Sequence, residues 1–265
     1  MWRSEAELVG RFAAILGAER ASDDCVLMRE LRTGYGVADL ALVQVDPEVI
    51  RKRRERVVPG AGLSSTAAYV IANLYGPEAL ELEALGALLR MSRWELQSAL
   101  GELLDRDIVS LQGGVVSLLD PAERLAIRRV ITYEAKLTKW RLAIAQAQRH
   151  LWFCSQSYVL LPELSPSLSS SVPDTCQRHG VGLVQLCSDG EMIICSVAES
   201  PLTGSTPFVW VLSEYLVEVE DWTRLSLGNS QVCPLTRPLS TSLVGSQKEA
   251  RKRSSESPIP ILANA

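Results

Sequence analysis

The sequence predicts an α/β protein in which a mixed sheet is flanked by helices and a small helical domain is inserted between two strands. Three observations lead to this prediction. Apolar runs of strand length alternate with stretches of helical periodicity at both ends of the chain. A segment too long for a loop separates two of these runs and contains helices of its own. From about residue 225 onward the chain turns to Ser, Thr, Pro and Gly without periodicity, which predicts a disordered tail over 225–265.

The main domain is predicted to be discontinuous, with residues 1–50 and 120–224 supplying its elements. In chain order these are a helix (4–16), two strands (25–31 and 35–45), a strand (130–137), a helix (138–153), a strand (156–161), a short helix (173–179), a hairpin turning at Asp189-Gly190, and a last helix (208–222).

Composition favours a protein of the aqueous phase. The 265 residues are 47% hydrophobic, which is ample for a core, and the formal net charge is −4. No apolar run reaches the ~18 residues of a membrane span, and the N-terminus shows no charged-then-apolar signal segment. The six cysteines form no CxxC pair. We therefore expect a cytoplasmic protein without a disulfide framework and without a membrane partner.

Charged residues inside two apolar runs are the strongest functional signal. Asp39 lies within 36–43, and Glu134 and Lys136 lie within 130–137. Residues two apart in a strand point to the same face, so Glu134 and Lys136 are expected to be neighbours. A charge in so apolar a strand has to be paired or bound to a metal. Carboxylate oxygens are the ligands that Mg²⁺ and Mn²⁺ prefer.

The order of these elements and residues resembles the PD-(D/E)XK nuclease superfamily, the restriction-endonuclease-like fold. That core runs helix, strand, strand with the Asp, strand with Glu-x-Lys, helix and strand. The resemblance covers residues 1–50 and about 128–162, and Ala38 stands where the family motif has proline. It implies a Mg²⁺- or Mn²⁺-dependent nuclease, with DNA as the expected substrate.

The resemblance also implies roles for single residues. Asp39, Glu134 and the carbonyl of Ala135 would bind the metal, joined by a carboxylate from the first helix, for which Glu5 is favoured over Glu7. Lys136 would stabilise negative charge or orient water, and Gln146 would hold water or backbone near the metal. The alternative from the residues alone is that Glu134 and Lys136 form a solvated pair on a half-exposed strand. His150 is interpreted as structural.

Residues 62–119 predict three helices followed by a hairpin turning at Gly113-Gly114. The third helix begins with the capping-box spacing of Ser92 and Glu95. This segment resembles a winged helix-turn-helix domain, in whose DNA-binding members the third helix enters the major groove. Arg93, Gln97 and Arg106 are candidates for groove contacts. Acidic residues on the same helix would repel phosphate, so docking of a partner protein or of a second copy is the alternative.

Residues 51–61 are predicted to be a basic linker into the insertion. Its cations are candidates for phosphate contacts: Arg51, Lys52, Arg53, Arg54 and Arg56. Arg124, Arg128 and Arg129 lie on the return path and are expected to extend the same patch. Three functions follow from the sequence: a DNA endonuclease with a built-in reader, a non-catalytic DNA-binding or regulatory protein of the same fold, and a protein-interaction module.

Overall fold

The computed structural model of the protein describes residues 2–19, 24–55, 62–74, 79–200 and 206–219. Its helices are α1 (Glu5–Glu19), α2 (Pro47–Arg54), α3 (Ser65–Leu74), α4 (Leu82–Leu89), α5 (Arg93–Asp105), α6 (Pro121–Arg124), α7 (Trp140–His150), α8 (Ser171–Arg178) and α9 (Pro207–Glu218). Its strands are β1 (Cys25–Thr33), β2 (Gly36–Val45), β3 (Leu80–Glu81), β4 (Val109–Gln112), β5 (Val115–Leu118), β6 (Ile127–Ala135), β7 (Gln156–Pro162), β8 (Gly182–Leu186) and β9 (Met192–Ser196).

Six strands form one mixed sheet in the order β1-β2-β6-β7-β8-β9. The pairs β6-β7 and β7-β8 are parallel, and the other neighbours are antiparallel. Helix α1 packs its apolar side chains, such as Phe12, against one face of the sheet. Helices α2, α7 and α9 contribute to cores that include sheet residues such as Val43 and Val159. The predicted α/β class, with a mixed sheet flanked by helices, is therefore confirmed.

The register of β2 against β6 positions the charged residues. Leu40 pairs with Tyr133 and Ala41 with Thr132, so Asp39 lies beside Glu134 at the end of the paired region. Lys136 was expected inside the strand, but β6 ends at Ala135 and the lysine is the first residue beyond it. Its backbone N–H still donates to the carbonyl of Leu160 on β7, which fixes the backbone at that point.

The insertion contains three helices and a small antiparallel sheet in the order β3-β5-β4. The capping box predicted at the start of α5 is present, since Ser92 and Glu95 bond each other's backbone N–H groups. Gly113 and Gly114 take left-handed conformations at the tip of the β4-β5 hairpin, which is where glycine is needed.

The core of the insertion is completed by a helix from outside residues 62–119. Trp210 of α9 is fully buried among insertion residues such as Tyr69 and Leu103. Phe208 and Leu212, on the same helix, are buried in the core of the main sheet. Helix α9 therefore contributes buried side chains to the core of the insertion and to the core of the main sheet.

The predicted linker at 51–61 is also corrected in part. Asp46 caps a helix by accepting from the N–H groups of Glu48 and Val49, and Pro47 begins it. Residues 51–54 are the end of this helix, α2, and Val49 and Ile50 pack into the main core. Residues 56–61 and the predicted tail at 225–265 lie outside the described residues. Within the described residues, none of the helices has the length and apolar character needed to cross a membrane.

Candidate metal centre

Asp39 joins the two motif strands directly. Its Oδ2 accepts a hydrogen bond of 2.8 Å from the backbone N–H of Ala135. The neighbouring Glu134 points into the protein, with only 1% of its surface exposed. The sheet thus carries one half-buried and one fully buried carboxylate side by side.

The ammonium of Lys136 lies at the centre of the cluster. Its Nζ is 2.9 Å from Glu134 Oε1 and 2.8 Å from the carbonyl oxygen of Ala135. Glu5 Oε2 is 3.5 Å away, and Asp39 Oδ2 is 3.7 Å away. These four groups are the complete set of metal ligands predicted from the sequence. In this structure the Lys136 ammonium lies next to all four groups.

Of the two carboxylates in the first turn of α1, only Glu5 pairs with Lys136. The Glu7 carboxylate instead accepts from the backbone N–H of Arg3 at 2.7 Å, before the first turn of the helix. This geometry supports the preference for Glu5 over Glu7.

Negative charge exceeds positive charge in the cluster, and the pKa values respond. Burial raises the pKa of Glu134 to about 7, and the nearby charges of Asp39 and Glu5 add to the rise against the opposing effect of Lys136. Burial also raises the pKa of Asp39. Burial alone would lower the pKa of Lys136, but its carboxylate neighbours outweigh this and raise it.

Unpartnered polar atoms concentrate at this site. Within the described residues, four buried side-chain nitrogen or oxygen atoms lack a hydrogen-bond partner, and three are Glu134 Oε2, Gln146 Oε1 and His150 Nδ1. His150 Nε2 lies 4.0 Å from Glu134 Oε2. Burial lowers the pKa of His150 to about 4, so the imidazole is neutral at pH 7. Buried polar atoms are normally hydrogen-bonded, so these atoms are candidates for contacts with water or a ligand.

A tighter group of potential ligands lies elsewhere. Among the described residues, Cys187, Asp189 and Glu191 form the only group of three side chains whose ligand atoms all lie within 4.8 Å of one another. This group is in the β8-β9 turn, where Asp189 is already bonded to the backbone N–H of Glu191. The carboxylate oxygens around Lys136 lie farther from one another than the ligand atoms of this group. This is expected because the Lys136 ammonium lies between them.

The predicted phosphate-binding role of the basic segment is corrected at two positions. Arg53 is only 3% exposed and pairs with the fully buried Glu214 of α9. Arg54 donates to backbone carbonyls at the end of α9, including that of Val217 at 2.8 Å. Both side chains are used to fix α2 against α9. Arg56 lies outside the described residues.

The other basic residues have acidic or polar partners, and Lys52 and Arg124 line one cavity together with Arg53, Arg106, Asp107 and Glu123. Arg51 and Lys52 are exposed, and both pair with Glu48 on their own helix. The cations of the return path each have a partner: Arg124 pairs with Asp107, Arg128 with Asp46, and Arg129 with Gln156. Arg106, a candidate for groove contacts, is 6% exposed and pairs with Glu214 and Glu218. Arg93 and Gln97 remain exposed on α5.

Two exposed cations near the cluster were missed by the sequence analysis. Lys139 and Arg141 flank Trp140 at the start of α7, directly after the turn that carries Lys136. The Arg141 guanidinium lies 4.1 Å from the centre of the Trp140 ring. Their closeness in sequence to Glu134 and Lys136 could have indicated that they lie near the cluster.

Comparison with protein-family models, with curated proteins and with solved structures gives no match for this chain. A functional interpretation therefore depends on the residues and geometry described above.

Proposed function

We propose that the protein is a metal-dependent nuclease that hydrolyses phosphodiester bonds, with DNA as the expected substrate. One observation carries the proposal. Three carboxylates and a backbone carbonyl from three separate elements surround one cation, and the most buried of these carboxylates has an oxygen without a partner. A stable protein does not need such an arrangement, whereas a site for a divalent cation does.

The topology supports the resemblance to the PD-(D/E)XK superfamily. Strands β1, β2 and β6 are antiparallel neighbours, and β7 joins β6 in parallel after α7. This is the order of elements that the resemblance implies, with Asp39 on the second strand and Glu134 on the third. The arrangement of α3–α5 with β3–β5 likewise supports a winged-helix-like insertion.

The residues fit a hard divalent cation. Glu5, Asp39, Glu134 and the carbonyl of Ala135 would supply oxygen ligands, which suits Mg²⁺ or Mn²⁺. When bound, the metal would polarise the scissile phosphate and lower the pKa of a bound water. The Lys136 ammonium would leave the ligand oxygens and move toward the phosphate, where it stabilises developing negative charge.

Other side chains would prepare the site. Gln146 and His150 lie one turn apart on α7, and each has a buried atom free to bond a water molecule. Neutral His150 adds no charge that would compete with a metal. Lys139 and Arg141 would contact the phosphates that flank the scissile one, since cations bind the backbone without regard to sequence.

The test is a plasmid-nicking assay with Mg²⁺ or Mn²⁺ added in steps to metal-free protein. The wild-type protein should nick DNA only when metal is present, and Glu134→Gln should not. Glu163→Gln, on an exposed loop, is the matched control and should keep wild-type activity. Nicking by Glu134→Gln at the wild-type rate would contradict the proposed site, and absence of metal-dependent nicking of DNA or RNA by the wild type would contradict the proposed function.

A further inference from the structure

The outer face of α5 combines an exposed aromatic ring with small neighbours. Trp94 is 76% exposed, the highest value among the large hydrophobic side chains in the described part of the chain. Ser98 and Gly101 follow it at helical spacing on the same face. A Cβ added at Gly101 would meet no atom within 4 Å, so the space beside the indole is open.

The insertion that carries this face is acidic overall. Residues 62–119 contain seven acidic and three basic residues, a formal net charge of −4. On α5, Glu95, Glu102 and Asp105 outnumber Arg93, and Arg106 at the end of the helix is turned into the protein. A helix that reads DNA has to approach phosphates, and this balance opposes that approach.

Two of these acids are fixed in position by hydrogen bonds. The Glu102 carboxylate accepts from Ser64 N at 2.6 Å and from Ser64 Oγ at 2.5 Å, just before α3 begins. Glu95 is held by the capping box, and its bonds to Ser92 lower the pKa of its carboxyl. The negative charge is therefore a built-in property of the face.

We propose that this face docks the basic run at residues 248–253 of the same chain. The run is Lys-Glu-Ala-Arg-Lys-Arg, with a formal charge of +3, which complements the acidic face. Arginine packs favourably over an exposed tryptophan ring, and three arginine or lysine side chains lie within three consecutive positions of the run. The docked segment would cover the indole and pair with Glu95 and Asp105.

The chain length between the two parts permits the contact. Residues 220–247 connect the last described residue to the run. The 28 residues of 220–247 can span at most about 90–100 Å when extended, and covalent attachment raises the effective concentration of the run at the face above that of a free peptide. Even a weak contact would therefore form within one molecule.

Site-specific photo-crosslinking in the full chain tests the proposal. A benzoylphenylalanine replaces exposed Ser98 on α5, or exposed Ser169 on the loop before α8 as the matched control. After irradiation, we expect the probe at 98 to crosslink within one molecule to a peptide spanning 248–253, independently of protein concentration, and the probe at 169 to give no such product. Crosslinks from 98 to other segments, or to a second copy only, would overturn the proposal.

Binding of the run in trans gives a second measurement. A labelled peptide of residues 244–257 is titrated into full chain whose own run carries Lys248→Glu, Arg251→Glu, Lys252→Glu and Arg253→Glu, so that the face is open. Fluorescence anisotropy should show salt-sensitive binding. Trp94→Ala should weaken it at least tenfold, as should Gly101→Lys, which has room for its side chain. Equal binding by the Trp94→Ala chain would overturn the proposal.

Nucleic acid is the competing occupant and is tested on the same variants. Docking of the run predicts that Trp94→Ala leaves duplex DNA affinity within twofold of the parent chain. Loss of DNA affinity in Trp94→Ala, together with unchanged peptide binding, would assign the face to DNA instead.

Discussion

Two charge clusters of this protein look alike in composition but differ in how completely their buried polar atoms are hydrogen-bonded. Around Lys136, three carboxylates share one ammonium, and Glu134 Oε2 has no partner. Between α2 and α9, Arg53 and Arg106 share Glu214 and Glu218, and none of these four residues has an unpartnered buried side-chain atom.

The difference indicates what each cluster is for. The cluster at α9 balances two cations with two anions and links three segments that are far apart in the chain, so its bonds serve the fold. The cluster at Lys136 leaves an excess of negative charge and buried atoms without partners. Folding alone gains nothing from that excess, and the proposed binding of a cation would account for it.

The largest expected effect is on activity at the Lys136 cluster. Asp39→Asn and Glu134→Gln should each lower the rate of DNA nicking by at least about 10³-fold, because a metal ligand supplies several kcal/mol of transition-state stabilisation. Both variants should remain folded, since an amide replaces a carboxylate of the same shape. The measurement is nicking rate at saturating Mg²⁺, with circular dichroism as the check on folding.

The two clusters should respond oppositely in stability. Glu214→Ala leaves Arg53 and Arg106 buried without their shared partner, and we expect a loss of about 3–5 kcal/mol in the free energy of unfolding. Glu134→Ala removes one of three mutually repelling carboxylates, so metal-free stability should change much less. Urea unfolding of both variants measures the contrast. A loss for Glu134→Ala as large as that for Glu214→Ala would remove the distinction between the clusters.

The sequence predicted the first cluster but not the second, for a physical reason. Asp39, Glu134 and Lys136 stand out because each is a charge in or beside a locally apolar run, and strand spacing then places Glu134 next to Lys136. Their proximity, with Glu5 nearby, was predicted and is observed; their roles stay a prediction. Arg53 and Glu214 are 161 positions apart, and nothing in the local pattern around either indicates the other.

The same limit explains the errors in the fold. Local periodicity located α5, β2 and the β4-β5 hairpin to within a residue or two. It could not show that α9 presents Trp210 to the insertion and Phe208 to the main sheet, because both are simply apolar positions of one helix. A basic run likewise looks solvated unless its buried partner is known, which is why α2 was interpreted as a linker.

Lys136 offers a test of competition for the site. Its ammonium contacts the same oxygens that a metal would use, so Lys136→Met should bind Mn²⁺ more tightly, by roughly tenfold, while losing about 10²–10³-fold in nicking rate. Isothermal titration with Mn²⁺ measures the affinity directly. Weaker binding by Lys136→Met would show that the lysine supports the ligand geometry rather than competing for it.

Stability without metal should depend on pH through Glu134. The pKa of Glu134 is raised from 4.5 to about 7, so between these values the folded protein binds more protons than the unfolded chain. The contribution of Glu134 to the free energy of unfolding should therefore fall as pH rises from 4.5 to 7 and then level off. His150 contributes with the opposite sign, because its pKa is lowered from 6.5 to about 4 and the folded protein binds fewer protons there than the unfolded chain. The Glu134 contribution is therefore measured as the difference between the pH profiles of the wild type and Glu134→Gln, and an unchanged profile in the variant would contradict it.

The smallest expected effect is on the salt dependence of DNA binding, in which two pairs of exposed cations should differ. Lys139→Ala with Arg141→Ala should flatten the dependence of log K on log salt by roughly 1 to 2 units, as expected for one or two lost phosphate contacts. Arg51→Ala with Lys52→Ala should flatten it by about one unit or less, because Glu48 and Glu55 already offset those charges on α2. Binding isotherms over a salt series, on two unrelated duplexes, supply the slopes. A larger change for the α2 pair would place the DNA backbone along α2 and not beside α7.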